Sequence, residues 1–517
     1  MFVNCQSQTN CRVHSLIRFG QAVVAAAFFS FTLFPAPVDA AAEGKSPSKS
    51  QQREQLRITP EEAMKPWTGD LDGMIERRFI RILTVYSKTF YFVDKGSQRG
   101  AAYDIGRLFE EDLNKKLARE KKLKQKHLKV QVLFIPVARG DLLSALAAGK
   151  GDIAASNITI TEARQNLVDF SVPVYPNVSE VVISGPASPS VTSLDELAGK
   201  EVFVRKSSSY YESLVALNQR FASEKKPGVI IKEAPETLED EDLIEMVNAG
   251  LIPLIVVDKH KADFWKQVFP KVTVHDEVAV RTGANIAWAI RKGNPQLRAA
   301  VDDFLGRSAK GSTVGNAILA RYLKNAKYVK DAASESERKK FLTMAQFFQK
   351  YGDKYDVDWL LMAAQGYQES QLNQAARSRV GAIGVMQVMP ATGKDLGVGN
   401  IAEIEANIHA GVKYMRWMID NYYGNEPMTK LDKALFAFAS YNAGAGRISQ
   451  LRKEAARRGL DPNVWFQNVE YVAAEKIGAE TVTYVGNIYK YYIAYHLIME
   501  ARDDKAQALE RMKGMSQ

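Results

Sequence analysis

Glu369 is the residue of this chain whose type and setting point most directly to chemistry. It is followed by Ser370 and closes a segment that the sequence predicts to be a helix beginning near Asp358. At about 100° per residue, Met362, Gly366 and Glu369 fall on roughly one face of that helix. A carboxyl at the end of such a semi-apolar face can lose part of its solvation, which raises its pKa and keeps it protonated near neutral pH. The pattern makes Glu369 a candidate general acid, although most glutamates on helices simply point to water.

Three further short motifs follow Glu369-Ser370 in order along the chain. They are Gly384-Val385-Met386-Gln387, Ser440-Tyr441-Asn442-Ala443-Gly444 and Glu480-Thr481-x-x-Tyr484-Val485. With these four motifs, residues 341–495 resemble the catalytic domain of the soluble lytic transglycosylases, a goose-lysozyme-like fold similar to glycoside hydrolase family twenty-three. The resemblance implies a mainly α-helical, lysozyme-like domain that cleaves the glycan strands of peptidoglycan.

The resemblance also implies roles for the residues of the first two motifs. Glu369 is implied to be the catalytic acid, and the Ser370 hydroxyl to help hold the substrate. Met386 and Gln387 are implied to lie along the glycan cleft. Val385 stands where the family usually has leucine, which is a mild apolar change.

The last two motifs carry three further site residues by the same resemblance. Tyr441 and Asn442 are implied to contact the substrate and to position the acid. Tyr484 is expected to reach the scissile bond with its phenolic hydroxyl, a donor that can stabilise developing charge. For Glu480 we expect a structural role as a buried partner.

The number of carboxylates separates two kinds of glycan cleavage. Hydrolysis ordinarily uses a pair of carboxylates, and the matched motifs supply one. The resemblance therefore implies a lyase, in which Glu369 protonates the oxygen between N-acetylmuramic acid and N-acetylglucosamine and the C6 hydroxyl closes a 1,6-anhydro ring. Because Asp358, Asp395 and Glu403 lie nearby in sequence, a hydrolytic muramidase stays open. A non-catalytic sensor or binding protein is the other alternative.

The region before the helical domain has a different pattern, in which short β-rich runs alternate with helical stretches. One set of runs lies at residues 80–86, 130–135 and 153–155, a second at 201–205, 229–233 and 254–257, and the chain returns at 284–290. This order is typical of an α/β domain with two lobes joined by crossing strands. The motifs Gly149-Lys150-Gly151-Asp152, Ile158-Thr159-Ile160-Thr161-x-x-Arg164 and Val168-Asp169-Phe170-Ser171-x-Pro173 make residues 78–322 similar to the family-three extracellular solute-binding proteins.

That second resemblance implies a bilobed fold of the periplasmic-binding-protein type II and a ligand site between its lobes. Thr159 and Arg164 are implied to hold a ligand α-carboxylate, since a guanidinium suits that contact. Ser208 and Ser209 are expected to offer hydroxyl and N–H groups from the second lobe, and Asp258 to meet an amino group. The implied ligand is a cell-wall peptide or an amino acid, and a relic domain without a ligand is the alternative.

The domain organisation follows from these patterns. We expect a signal peptide at residues 1–40, a flexible tether at 41–77, a solute-binding-like domain at 78–325 and a catalytic domain at 326–517. Within the solute-binding-like domain, lobe 1 covers about 78–180 and 285–325, and lobe 2 about 181–284. In the catalytic domain, Ile404, Ile408, Val412, Met415 and Ile419 share a helical face and predict a core stripe.

Composition and targeting signals limit the remaining function classes. The apolar run at residues 22–34 after Arg12 and Arg18 is typical of a signal peptide, so we expect export to the periplasm, with peripheral attachment to the outer membrane left open. The net charge is +10, but the basic cluster at 115–129 has no interleaved aromatics, which argues against nucleic acid. The sequence has no C-x-x-C or H-E-x-x-H motif, so we expect no metal and no cofactor.

Overall fold

The structure is a computed structural model that describes residue 56 and residues 60–188, 191–332 and 335–515. The expected signal peptide at 1–40 lies outside the described residues. Within the described ranges, no helix combines the length and the apolar composition that crossing a membrane would need.

The segment ahead of the first strand is packed against the protein. The main chain of Leu56 pairs with Val357, and the Leu56 side chain is buried. Two short helices follow, α1 at Glu61–Met64 and α2 at Leu71–Arg77, and the Met74 side chain of α2 is fully buried. The expected flexible tether is therefore wrong for the described part of residues 41–77, because these apolar side chains anchor the segment.

Strands and helices alternate through the first α/β lobe. Its strands and the helices between them are β1 Phe79–Thr84, β2 Phe92–Asp94, β3 Ser97–Arg99, α3 Ala101–Arg119, β4 Gln131–Pro136, α4 Leu142–Ala147, β5 Ile153–Thr159, α5 Glu162–Gln165, β6 Asp169–Phe170 and β7 Tyr175–Ser184. Strands β1 and β4 are nearly continuous apolar runs because both faces of a parallel sheet are covered.

The second lobe repeats the alternation with its own core. Its elements are β8 Glu201–Arg205, α6 Ser209–Ser223, β9 Ile230–Ala234, α7 Asp240–Asn248, β10 Leu254–Asp258, α8 Lys259–Trp265 and β11 Thr273–Ile290. Helix α6 begins after Ser208, whose hydroxyl accepts a hydrogen bond from the Tyr211 N–H. This cap fixes the end of α6 that faces the first lobe.

The two lobes share one sheet through two long strands. The strand order is β4-β1-β5-β11-β7-β10-β8-β9, and β6 pairs with β11. Strand β1 is parallel to β4 and β5, and β8 is parallel to β9 and β10. The antiparallel pair of β7 and β11 runs from one lobe into the other, with several register shifts along it. The predicted pair of lobes joined by crossing strands is confirmed.

The rest of the described chain is helical. The helices are α9 Pro295–Ser308, α10 Thr313–Leu323, α11 Lys327–Ala332, α12 Glu335–Tyr355, α13 Trp359–Ser370, α14 Pro390–Asp395, α15 Ile404–Met418, α16 Lys430–Ala443, α17 Ala445–Arg457, α18 Glu470–Lys476 and α19 Ala479–Met515, with π-helical turns at Ile419–Tyr423 and Trp465–Val469. Four members of the predicted α15 stripe are buried and Ile404 is half-buried. The prediction of a core-facing stripe is confirmed.

The helical domain and the sheet share apolar cores. Leu83 and Leu133 of the first lobe lie in the same buried cluster as the helical residues around α13. The 37-residue helix α19 continues past that cluster, so that Ile498 enters the core of the first lobe and Met512 that of the second. Helix α19 therefore contributes to the cores of all three parts of the structure.

Candidate active site

Helix α13 holds Glu369 one residue before its end. The Asp358 carboxylate caps the start of α13 by accepting a hydrogen bond from the Leu360 N–H, and Gln371, with a φ of 56°, ends it in the left-handed region. Residues 360–366 of α13 are buried, so the helix is fixed along most of its length. Glu369 itself is partly exposed, because it lies where the helix leaves the core. The predicted extent of this helix is confirmed.

Tyr484 of α19 and Gln365 of α13 build a hydrogen-bonded chain onto the Glu369 carboxyl. The Tyr484 hydroxyl donates to Glu369 Oε1 at 2.5 Å, and Gln365 Nε2 donates to the Tyr484 oxygen at 3.1 Å. No hydrogen bond of the described residues engages Glu369 Oε2, which leaves that oxygen available for a proton. Sequence reasoning missed Gln365, although its position one turn before Glu369 placed it on the same helical side.

The environment of Glu369 suits a general acid. Burial raises the pKa of Glu369 to about 7, and the hydrogen bond from Tyr484 acts in the opposite direction by stabilising the carboxylate. In the described part of the chain, no second carboxylate is among the groups that shift this pKa. Asp358 lies at the far end of α13, and Asp395 and Glu403 are exposed. Among the described residues, no carboxylate therefore shifts the pKa of the shielded Glu369 carboxyl.

The loop that carries Gly384, Met386 and Gln387 is tied to α13 through Ser370. The Ser370 hydroxyl donates to the Val385 carbonyl oxygen at 2.8 Å and accepts from the Asn373 N–H at 3.0 Å. These contacts hold the loop against α13, and the expected contact of the Ser370 hydroxyl with substrate stays a prediction.

Met386 and Gln387 differ in their surroundings. The Met386 side chain is fully buried against Gly366 and Gly411, so the prediction that it lies along the glycan cleft is wrong. Gln387 is partly exposed and has a φ of 46°, and its Nε2 donates to the Gly384 carbonyl oxygen at 2.8 Å. A motif match locates this loop but cannot tell which of its side chains faces inward.

A buried asparagine shapes the same loop. Asn407 Oδ1 accepts from the Met386 N–H at 2.8 Å, and its Nδ2 donates to the carbonyl oxygens of Ile383 and Ile401. Gly384 lies against Asn407 with a φ of +80°, and an added Cβ would meet Asn407 Nδ2 at 2.4 Å. Sequence reasoning missed Asn407, a polar residue beside the apolar stripe of α15.

The tyrosines of the last two motifs meet at the acid. The Tyr441 hydroxyl donates to the Met386 carbonyl oxygen at 2.7 Å, and burial, together with the nearby Glu369 carboxyl, holds the pKa of Tyr441 well above its usual range. Asn442 Oδ1 accepts from the Thr481 hydroxyl at 2.6 Å, which joins α16 to α19. Glu480 is exposed, so its expected role as a buried partner is wrong.

A hairpin of the first lobe contacts helix α13, which carries Glu369. The hairpin of β2 and β3 places the Ser97 hydroxyl 2.8 Å from the hydroxyl of Tyr367, two residues before Glu369. The Tyr495 hydroxyl donates to the Gly96 carbonyl oxygen at 2.6 Å. These two bonds connect the hairpin to both α13 and α19, the helices that carry the acid and its tyrosine.

Four of the five residues expected to bind a ligand line one cavity between the lobes. Thr159, Arg164, Ser208 and Ser209 are among its walls, and its volume is about 40 Å³. Such a volume holds a few water molecules, whereas an amino acid needs more room. The lobes are thus closed in this conformation. Sequence reasoning missed further cationic walls of the cavity, namely Arg139, Arg205 and Lys261.

The Arg164 guanidinium is already bonded within the protein. Its two Nη atoms donate to the carbonyl oxygens of Thr159 and Ser207, at 3.0 and 2.8 Å, and its Nε lies 3.1 Å from a Glu212 carboxylate oxygen. The Ser209 hydroxyl donates to the Thr159 hydroxyl at 3.2 Å. A ligand carboxylate would have to replace some of these bonds.

Asp258 has an internal ammonium as its neighbour. Lys261 Nζ lies 3.3 Å from Asp258 Oδ2, and Asn157 Nδ2 donates to the same oxygen at 2.6 Å. Asp258 does not line the cavity, while its other oxygen, Oδ1, is buried without a hydrogen-bond partner. The amino group expected to meet Asp258 is therefore supplied here by Lys261.

An ion pair closes the cleft across the two lobes. Arg139 of the first lobe donates from Nε and Nη2 to the two carboxylate oxygens of Glu239 in the second, at 2.8 and 2.6 Å. Their side chains are 10% and 5% exposed, so little solvent screens the pair. Such a two-pronged, shielded contact favours the closed arrangement of the lobes.

The family comparisons match both halves of the chain. Residues 80–325 match the family described as bacterial extracellular solute-binding proteins, family 3, and residues 346–463 match the family described as transglycosylase SLT domain. The two matches follow one another along the chain and together cover residues 80–463 apart from 326–345. The predicted fold class, a bilobed α/β domain of the type II binding-protein kind followed by a mainly α lysozyme-like domain, is confirmed.

Relatives with known names match over most of the chain. Membrane-bound lytic murein transglycosylase F of Pseudomonas fluorescens is 27% identical over 447 residues, which span 82% of this chain and 85% of that protein. The protein of that name from Desulfosudis oleivorans is 28% identical over 430 residues, 80% of this chain and 89% of that protein. The combination of the two domains predicts a resemblance to membrane-bound lytic murein transglycosylase F, and these matches confirm the prediction.

The solute-binding domain also has a solved structural neighbour. The substrate binding protein of an amino acid ABC transporter aligns with a TM-score of 0.38 and 21% identity, covering 48% of this chain and 100% of that one.

Proposed function

We propose that this protein is a peptidoglycan lytic transglycosylase and that Glu369 is its catalytic acid and base. The observation that carries the proposal is the setting of the Glu369 carboxyl. It is shielded enough for a pKa near 7, it receives one hydrogen bond from Tyr484, and it has no neighbouring carboxylate in the described residues. The SLT domain and the relatives named lytic murein transglycosylase support the same activity.

One carboxyl is sufficient for a cleavage that consumes no water. Protonated Glu369 gives its proton to the oxygen that bridges N-acetylmuramic acid and N-acetylglucosamine, and the bond from that oxygen to C1 breaks. The C6 hydroxyl of the same muramic acid then attacks C1, and its proton returns to the Glu369 carboxylate. The products are a free N-acetylglucosamine end and a 1,6-anhydromuramic acid end. Such cleavage serves turnover and remodelling of the cell wall.

The site residues divide into contacts with substrate and contacts that hold the acid. Tyr484 positions the carboxyl and stabilises its charged form after the first proton transfer. Gln387, Tyr441 and Asn442 are partly exposed, Tyr441 lies near the Glu369 carboxyl, and we propose that all three contact the glycan. Ser370 acts by fixing the loop at Val385.

Product analysis tests the proposal. Purified protein is incubated with sacculi, and the released fragments are weighed by mass spectrometry. Anhydro ends are expected, each lighter than a reducing end by one water. Glu369→Gln should lose about 10²- to 10⁴-fold in rate, because the acid is removed, while Glu480→Gln, at an exposed glutamate on α19, should keep full activity.

Three outcomes would contradict the proposal. Reducing ends from the wild type would identify a hydrolytic muramidase. Undiminished release of fragments by Glu369→Gln would remove Glu369 from the chemistry. Release of no fragments by the wild type would leave a binding or sensor protein as the better account.

For the solute-binding domain we propose a cell-wall peptide or an amino acid as ligand. The support is a cavity with several cationic walls, among them Arg164, at the capped start of helix α6. Binding requires that the lobes separate, because the closed cavity is too small. The alternative is a domain that keeps the fold but has lost the ligand. The internal bonds of Arg164 fit this alternative and a closed, ligand-free resting state equally well.

Export and location complete the proposal. The apolar segment at residues 22–34 supports a signal peptide and a periplasmic location, where the substrate is found. The relatives carry the name membrane-bound, which supports peripheral attachment to the outer membrane. We propose a boundary between the binding domain and the catalytic domain near residue 325.

A further inference from the structure

Two large aromatic side chains of the SLT domain are left open to solvent. Trp417, at the end of α15, and Tyr422, in the π-helical turn that follows, are each 45% exposed. They are the two aromatics among the exposed large apolar side chains of the described residues. Because a buried aromatic ring contributes strongly to stability, leaving two together at the surface suggests that a ligand covers them.

The exposed pair is connected to the candidate active site by an unbroken series of rings. The Trp417 ring is stacked on Tyr414, with centroids 5.7 Å apart and planes at 9°, and its centroid lies 5.8 Å from that of Tyr422. Tyr414 in turn meets Tyr441 at 5.5 Å. Tyr441 bonds the Met386 carbonyl oxygen beside the acid, so the series leads from the site to the open surface.

The rings are held in place before any ligand arrives. Tyr414 and Trp417 are three residues apart on α15 and share one side of the helix. Met415 and Met418 of the same helix are buried and fix α15 to the core. Asn421 Nδ2 donates to the Trp417 carbonyl oxygen at 2.7 Å, which ties the turn carrying Tyr422 to the helix. A rigid platform loses little entropy on binding.

We propose that Tyr414, Trp417 and Tyr422 form a stacking platform for the sugar rings of the glycan strand at a distance from the scissile bond. A pyranose ring presents its C–H bonds on one face, and these pack on the electron-rich face of an aromatic ring. The platform rests on the proposed function, since it extends the same glycan site. It holds a long strand while Glu369 acts elsewhere on it.

Substrate length is the readout that separates this role from a structural one. Trp417→Ala should raise the KM for long glycan strands roughly three- to tenfold, and should leave kcat/KM unchanged for a short oligosaccharide that spans only the scissile bond. Trp417→Phe keeps a ring and should recover most of the loss. Leu167→Ala, which removes an equally exposed apolar side chain from the solute-binding domain, is the matched control.

A binding assay tests the platform without catalysis. Glu369→Gln protein is sedimented with sacculi, with and without Trp417→Ala, and the bound fraction is measured. A similar three- to tenfold weakening is expected for the double variant. If binding is unchanged, the platform is wrong even when the wild type releases anhydro fragments. If binding weakens but the wild type releases none, the platform stands and the proposed function fails.

Sedimentation with lipid vesicles tests whether a membrane, and not a glycan strand, covers the aromatic platform. The same proteins are sedimented with vesicles of phosphatidylethanolamine and phosphatidylglycerol. Loss of vesicle binding by Trp417→Ala with unchanged binding to sacculi would overturn the proposal in favour of a membrane anchor. Equal vesicle binding by the two proteins, together with weakened binding to sacculi, supports it.

Discussion

Replacing Tyr484 with phenylalanine should move the pH dependence of the enzyme to higher pH. The Tyr484 hydroxyl donates to Glu369 Oε1 and thereby favours the carboxylate, while burial favours the protonated form. Removal of the hydroxyl leaves burial unopposed, so the pKa of Glu369 rises. The acid form, which protonates the glycan in the proposed mechanism, then persists at higher pH.

The size of the effect follows from the single bond that is lost. A hydrogen bond to a charged group is worth about 1.5–3 kcal/mol, and one pKa unit corresponds to about 1.4 kcal/mol. Tyr484→Phe should therefore raise the pKa of Glu369 by roughly one to two units. The descending limb of activity, expected at about pH 7 in the wild type, should move by the same amount.

The assay is kcat/KM for release of anhydro fragments, measured from pH 5 to about pH 10, because this ratio reports the pKa values of the free enzyme. Tyr492→Phe is the matched control. It removes another buried hydroxyl from α19, one that donates to Asp358 at the far end of α13, 3.1 Å away. Its descending limb should stay at the position found for the wild type.

Either of two results would refute the reasoning. A limb that stays in place in Tyr484→Phe would mean that Tyr484 does not interact with the ionised acid. A limb that moves to lower pH would mean that the tyrosine stabilises the protonated form. In the first case, a lower rate at every pH would show that Tyr484 serves only to align the carboxyl.

Two further predictions concern stability and lobe closure. The pKa of Glu369 is about 7 in the folded protein, against an ordinary value of 4.5. The free energy of unfolding should therefore fall as the pH rises between these two values, because the unfolded chain ionises this group first. Glu369→Gln should stabilise the protein at pH 8 by up to about 3 kcal/mol and have little effect at pH 4, measured by urea unfolding. Equal effects at both pH values would contradict the raised pKa. Glu239→Gln should weaken the ion pair with Arg139 and open the lobes, which would appear as faster amide hydrogen exchange around residues 139–143. Lys226→Met, which removes an exposed ion pair with Asp195, should leave that exchange unchanged. Unchanged exchange in Glu239→Gln would show that the ion pair does not hold the lobes closed.

Local signals in the sequence were sufficient to predict helix α13, which carries Glu369. Asp358 is a typical N-cap residue, the apolar run after it predicts a buried helix, and Glu369 falls at the end of that run. The alternation of strands and helices likewise predicted the two lobes, since buried parallel strands leave continuous apolar runs. What these signals share is that the responsible contacts lie close together along the chain.

Contacts between distant segments could not be predicted in the same way. Met386 is buried because α13 and α15 meet around it, and its own motif contains no sign of that meeting. The closed cleft depends on a bond between Arg139 and Glu239, one hundred residues apart. Helix α19 shows no single apolar face that could reveal its path, because successive parts of it pack against different neighbours.

Helix α19 has a consequence for the order in which the protein is completed during synthesis. The second lobe, whose strands β8 to β11 lie between residues 201 and 290, is synthesised well before Ala508 and Met512, which its core takes in. Until then, the apolar surface that these two side chains cover is bare. A chaperone that shields nascent or newly exported chains has a ready target there, and a chain truncated before Ala508 would leave this part of the core of the second lobe uncovered.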